Sequence, residues 1–276
     1  MLNIILNESK VIEEALKGNI QNNKITPILQ LLIKHYYLNG MTDKLQLKEQ
    51  ILNYLKNNYE GYKRAKWEST IEKMVKRFLK LAKNPKVEIK ITDIDKIQIT
   101  KNELKTIEQL NNKQLEKIAF VLLVYGKISN IIIKENDGWI NQSCTIICEE
   151  AKVGLQGIEK TRIFHELYKK KYIEQSKHNA KTNMRVCYID KEYINEDVEL
   201  TINDFNGVVH QYLIWKGESW IKCASCQKWA RQKSNKTKYC PKCAREIEKE
   251  KHKERNKRWY KNKNSDGLEN HLKPLV

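Results

Sequence analysis

"TIICEEAKVGLQGIEKTRIFHELYKKKYIEQSKHNAKTNMRVCYI" runs from Thr145 to Ile189. Its first part, with the preceding "QSC", predicts a helix ending near Val153. "GLQG" (154–157) is a turn bounded by glycines. The segment from Ile158 to Ile173 predicts a second helix. There Ile163, Phe164 and Leu167 recur at helical spacing and form a core face, which leaves Lys160, Thr161, Arg162, His165 and Lys169 on the outer faces. The remainder predicts two strands around a polar hairpin. Lys177, His178 and Lys181 lie at its tip, and Arg185 on the returning strand.

Upstream, "KQLEKIAFVLLVYGKIS" (113–129) predicts a strongly apolar helix and "GWIN" (138–141) a short strand. Residues 1–83 predict an N-terminal helical module. Pro27 opens one helix and Gly40 stops it, and "MTDKLQLKEQILNYLKN" is the next. Ser69 and Glu72 are spaced as a capping box for a third, with Ile71, Met74, Val75, Phe78 and Leu79 as its apolar stripe. Residues 84–112 predict a linker. It has short strands around Val87, Ile89, Ile91 and Ile94, then a helix capped by Thr100 and Glu103. Residues 191–222 predict a small β segment, with "VELTI" and "VVHQYLIW" as strands. The fold class expected is mainly α with small β elements.

Taken together, residues 113–190 resemble the winged helix-turn-helix family on the stretch quoted first. In that family a leucine near the end of the third helix is followed by a basic turn and an apolar pair. Leu167 followed by "YKKKYI" is similar, although Lys171 stands where glycine or a small residue is usual. The resemblance implies a third helix that enters a DNA major groove and a wing that touches the backbone or the minor groove. Residues 25–79, "ITPILQLLIKHYYLNG…WESTIEKMVKRFL", resemble the small helical module that follows some primase catalytic domains. That likeness implies a link to phage or plasmid replication.

Near the C-terminus, Cys223 and Cys226 form one C-x2-C knuckle, and Cys240 and Cys243 another, 13 residues apart. Two such knuckles complete a tetrahedron of soft ligands around one ion, as Zn²⁺ prefers, with no coordination position left open. The expectation is a structural zinc ribbon over 223–245. Iron and a pair of disulfides are the alternatives. Cys144, Cys148 and Cys187 lie in apolar surroundings and read as core thiols.

The knuckles carry Lys228, Trp229, Arg231, Lys233, Lys236, Lys238 and Tyr239, and the basic run continues through a tail (246–276) that includes Arg255 and Arg258. The tail predicts a charged helix up to about Tyr260 and a frayed, disordered end. Basic residues interleaved with aromatics suit phosphates and bases; packing of the ribbon is the alternative for each aromatic. From Lys222 to Lys263 there are sixteen Lys or Arg against four Glu, so this stretch carries two thirds of the chain's net charge of +18. Such a balance points to a polyanion: duplex DNA first, single-stranded DNA or RNA next.

"MLNIILNESK" turns polar too soon for a signal peptide, and the chain holds no apolar run of membrane-span length. Seven cysteines cannot all pair, which favours a reducing interior: the cytoplasm of a bacterial host cell. Lysine, asparagine and isoleucine dominate, the signature of AT-rich coding. No phosphate loop, dinucleotide fingerprint, HExxH or GxSxG occurs. The reading is DNA binding in phage or plasmid replication initiation or transcription control, with host replication or transcription proteins as possible partners. The alternatives are a nuclease or primase-associated enzyme with dispersed acids, and a protein that binds or inhibits a host protein.

Overall fold

A computed structural model of the chain describes residues 6–19, 25–85, 87–133, 135–176 and 183–269. The chain is mainly α-helical with small antiparallel sheets, and it divides into two compact units at Val208/Val209.

In the first unit, α1 (Glu8–Leu16), α2 (Ile25–Leu38), α3 (Lys44–Asn58) and α4 (Arg64–Ala82) share a core that includes Leu29, Leu32, Leu47, Ile51, Leu55, Ile71 and Val75. Asn7 caps α1 and Asp43 caps α3 through side-chain oxygens that accept from the first-turn amides. The Tyr54 hydroxyl donates to the Ala15 carbonyl at 2.9 Å, which ties α3 to α1. The capping box expected at Ser69 is not made. The helix starts at Arg64, so Ser69 lies inside it, and Glu72 accepts instead from Lys44 on α3 at 2.6 Å. Tertiary contacts extend the helix backwards: Trp67 packs on the core and Glu68 pairs with Lys48 at 2.8 Å.

Beyond α4, residues 87–94 are not the strand that their alternation predicted. They run beside the start of α1, where Glu8 donates to the Thr92 carbonyl and Ile94 to the Leu6 carbonyl. The strand comes later, β1 (Ile97–Thr100), and leads into α5 (Lys101–Glu108). Thr100 and Glu103 form the reciprocal capping box that their spacing predicts.

Residues 113–190 build α6 (Lys113–Ile132), β2 (Trp139–Asn141), α7 (Cys144–Glu150), α8 (Gly157–Lys169), β3 (Ile173–Gln175) and β4 (Asn183–Val186). Residues 118–128 of α6 are buried on every side, so this helix is the axis of the core. The sheet order is β2-β4-β3, all antiparallel, with Ile140 opposite Met184 and Ile173 opposite Val186. The order is thus helix, strand, two helices and a hairpin that pairs with the first strand, the order that the resemblance implied. Gly138 admits the pairing: its φ is 80°, and a Cβ there would meet the Val186 carbonyl oxygen at 2.6 Å.

Helix α8 ends in a Schellman motif. The Tyr172 amide donates to the Leu167 carbonyl and the Lys171 amide to the Tyr168 carbonyl, both at 3.0 Å. Lys171 therefore holds φ at 62°, a left-handed conformation that favours glycine. Helix α7 closes in the same way, with Lys152 at φ 52°. The unit ends with β5 (Val198–Ile202), antiparallel to β1.

The second unit holds α9 (Val209–Trp215), the hairpin β6 (Trp220–Lys222) and β7 (Trp229–Arg231), and α10 (Pro241–Glu269). "VVHQYLIW" is thus a helix and not a strand. Val209, Tyr212 and Leu213 bury one face at i, i+3 and i+4, and Gly217 at φ 85° closes another Schellman motif. The tail helix also starts earlier and runs further than expected, through Glu269. Of residues 262–276, the end expected to be frayed and disordered, 262–269 continue the helix and 270–276 lie outside the described residues.

Candidate metal centre and nucleic-acid interface

The four cysteines arrive from two local structures. The first knuckle is the tip of the β6–β7 hairpin. The Cys223 amide donates to the Lys228 carbonyl, the Gln227 amide to the Cys223 carbonyl, and Gln227 takes φ 57° to make the turn. The second knuckle is the start of α10, where Cys240 precedes the first turn and Cys243 lies within it. The Ala224 amide donates to the Lys238 carbonyl at 3.0 Å and laces the knuckles together.

All four sulfurs lie within 4.8 Å of one another, and Cys226 Sγ is 3.8 Å from Cys240 Sγ. A disulfide would need about 2.05 Å. Four sulfurs at about 2.3 Å from one ion stand about 3.8 Å apart. The set is therefore a possible metal site, and its cysteines are free thiols. The electrostatics agree. The backbone amides of Cys226 and Cys240 pull the Cys223 thiol down to about 6. The Cys243 amide lowers Cys240 in the same way. Hydrogen bonds to the Cys240 and Cys226 sulfurs push the Cys243 thiol up to about 12. Among the described residues this is the one cluster of His, Cys, Asp or Glu with such geometry.

The other cysteines stand apart. Burial raises Cys144 and pushes Cys148 up to about 11. Cys187, expected in the core, is exposed just past the end of β4.

Around the knuckles, Lys228, Arg231, Lys233, Lys236 and Lys238 are all exposed. Trp229 is not presented in the same way. Its ring stacks on His210 of α9 with centroids 5.1 Å apart, and the Lys222 ammonium lies over it at 5.5 Å. His210, buried against both Trp229 and Trp220, was not anticipated. On α10, Arg258 is exposed and Arg255 is exposed but paired with Glu248 at 2.7 Å.

In the winged segment, Ile163, Phe164 and Leu167 are buried as expected, and Thr161, Arg162, His165 and Lys169 form an exposed face of α8. Lys160 reaches back to the Thr145 hydroxyl at 2.9 Å and braces α8 on α7. Arg185 is engaged within the wing. It pairs with Glu174 at 3.1 Å and with Asp137, whose carboxylate also receives Lys191 at 2.8 Å. Those two cations hold the Asp137 carboxyl below the usual carboxylate range, the Lys191 hydrogen bond most strongly. Lys181, with Lys177 and His178, lies outside the described residues. Two exposed apolar side chains of α8, Ile158 and Tyr168, border that stripe, Ile158 four residues before Arg162 and Tyr168 seven after Thr161.

No helix among the described residues is long and apolar enough to cross a membrane. Comparison with protein-family models, with curated proteins and with solved structures finds no match.

Proposed function

We propose that this protein binds duplex DNA, with α8 in the major groove and with the knuckles and α10 on the phosphates. The observation that carries the reading is the exposed face of Thr161, Arg162, His165 and Lys169 on the second helix of a helix-turn-helix whose core face is sealed. Side chains of this kind hydrogen-bond to base edges and to phosphates. Arg185 and Lys160 have a bracing role in this account, since their charges are already engaged.

The four cysteines hold one Zn²⁺, which occupies all four thiolates and so joins hairpin to helix without chemistry of its own. The second unit buries few large side chains near the knuckles, so metal binding and folding there are coupled. The exposed lysines and arginines that the knuckles display, with α10 behind them, supply phosphate contacts. The lysine-rich composition and the likeness of residues 25–79 to a primase-associated module support a setting in phage or plasmid replication initiation or transcription control, in the cytoplasm of a bacterial host.

The test is the affinity of zinc-loaded protein for duplex DNA, single-stranded DNA and RNA of equal length at one salt concentration. Preference for duplex DNA supports the reading. Preference for a single strand moves the weight to the knuckles and α10, and weak binding to all three removes it.

One observation favours a second reading, contact with a host protein. A cleft of about 1400 Å³ in the first unit exposes Leu81 and Ile131–Ile133 beside Lys73 and Arg77. Apolar surface rimmed by cations suits an amphipathic acidic segment. Ile132→Asp would abolish such a contact and leave DNA binding unchanged.

A further inference from the structure

Ile158 lies in the first turn of α8 and is 87% exposed, the most exposed large apolar side chain among the described residues. Its position is not that of a stray surface residue. Thr161, Arg162, His165 and Lys169 follow it at i+3, i+4, i+7 and i+11, so Ile158 heads the same stripe. The buried residues of the helix, Ile163, Phe164 and Leu167, face elsewhere. Over 11 residues the stripe extends about 16 Å, the length of about five base pairs at about 3.4 Å each.

The stripe therefore has one apolar end and a polar, basic remainder. Arg162 and Lys169 would bring a polyanion against the face, and Ile158 would then be held against what lies between the phosphates. In a major groove the floor presents hydrogen-bond donors and acceptors at every base pair, and one apolar group, the C5-methyl of thymine. A β-branched aliphatic side chain without polar atoms discriminates for that methyl and against the polar edges of G·C pairs, whose groups it would desolvate without a partner.

We infer that Ile158 is a specificity-determining residue that reads thymine methyl groups, and that the substrate class of this face is A·T-containing duplex DNA. The inference rests on the duplex-binding reading above.

The experiment compares two alternating duplexes of equal length, dA·dT and dA·dU, which differ only in the C5-methyl. The zinc-loaded full chain and its Ile158→Ala variant are titrated against both. The exposure of Ile158 means that the alanine variant keeps the fold, which circular dichroism verifies. Each methyl buried against Ile158 should favour dA·dT by about fourfold, and the variant should bind both duplexes alike. Equal binding of the unaltered protein to both duplexes overturns the inference while duplex binding itself stands. A thymine preference that survives in Ile158→Ala also overturns it, because another side chain then reads the methyl. Binding to neither duplex, at any salt concentration, removes the duplex reading and this inference with it.

Discussion

The Lys127 ammonium lies 2.8 Å from the Glu103 carboxylate, and neither side chain is more than 8% exposed. The pair joins α5 to α6 under the winged segment. Glu103 also accepts from the Thr100 and Asp190 amides, both at 2.9 Å, and Lys127 donates to the Gln98 carbonyl at 2.7 Å. Removing one partner strands a buried charge. Lys127→Met should lower the unfolding free energy by about 3–5 kcal/mol in denaturant titration, and Lys127→Met with Glu103→Gln should cost less than the sum of the two.

The same site carries a pH dependence. Burial outweighs Lys127 and raises the Glu103 carboxyl above its ordinary range. A carboxyl raised in the folded state binds its proton more tightly there than in the unfolded chain. Its contribution is therefore most favourable in acid and is lost as pH rises from about 4.3 through the raised folded value. Unfolding midpoints measured across that window should fall with pH more steeply for the unaltered protein than for Glu103→Gln.

Two backbone positions test the winged fold. Gly138→Ala places a Cβ against the Val186 carbonyl at a φ of 80° and should destabilise by about 2 kcal/mol or more. Lys171→Gly relieves a left-handed lysine and should stabilise by about 0.5–1 kcal/mol, the strain relieved less the added freedom of the unfolded glycine. Thermal melts of the two variants should move in opposite directions.

The knuckles make a prediction about metal and binding together. Cys240→Ser should release the ion and weaken DNA binding in the same titration, because the displayed cations lose their frame. The Cys223 thiol, drawn down to about 6, keeps its ligand form at neutral pH. Zinc content should hold at pH 7 and fall in acid, where protons compete with the ion for the thiolates. Chelation at neutral pH should expose four additional thiols to an alkylating reagent, at Cys223, Cys226, Cys240 and Cys243 in peptide maps. DNA binding that survives metal loss would reduce the site to a staple.

What could be read from the sequence was what local spacing encodes. The knuckles, the Thr100–Glu103 box and the core stripe of α8 each lie within one or two turns of chain. What could not be read depended on partners far along it. Arg185 is consumed by Glu174 and Asp137 because β3 and β4 pair in one register. Trp229 meets His210, nineteen positions earlier in the sequence, through the packing of α9. "VVHQYLIW" carries β-branched and aromatic residues that favour strands, and the burial of Val209, Tyr212 and Leu213 overrode that preference. Ser69 has the spacing of a cap, but Trp67 and the Lys48–Glu68 pair hold the chain helical before it.

The most direct measurement of the central claim is the salt dependence of duplex-DNA affinity. The logarithm of the binding constant should fall linearly with the logarithm of salt, by about 0.9 for each phosphate contacted. Arg231→Gln with Arg258→Gln should flatten the slope by up to about 2. Arg162→Ala should instead weaken binding to a selected site more than to random duplex. A shallow slope near zero, unchanged by these variants, would contradict the account.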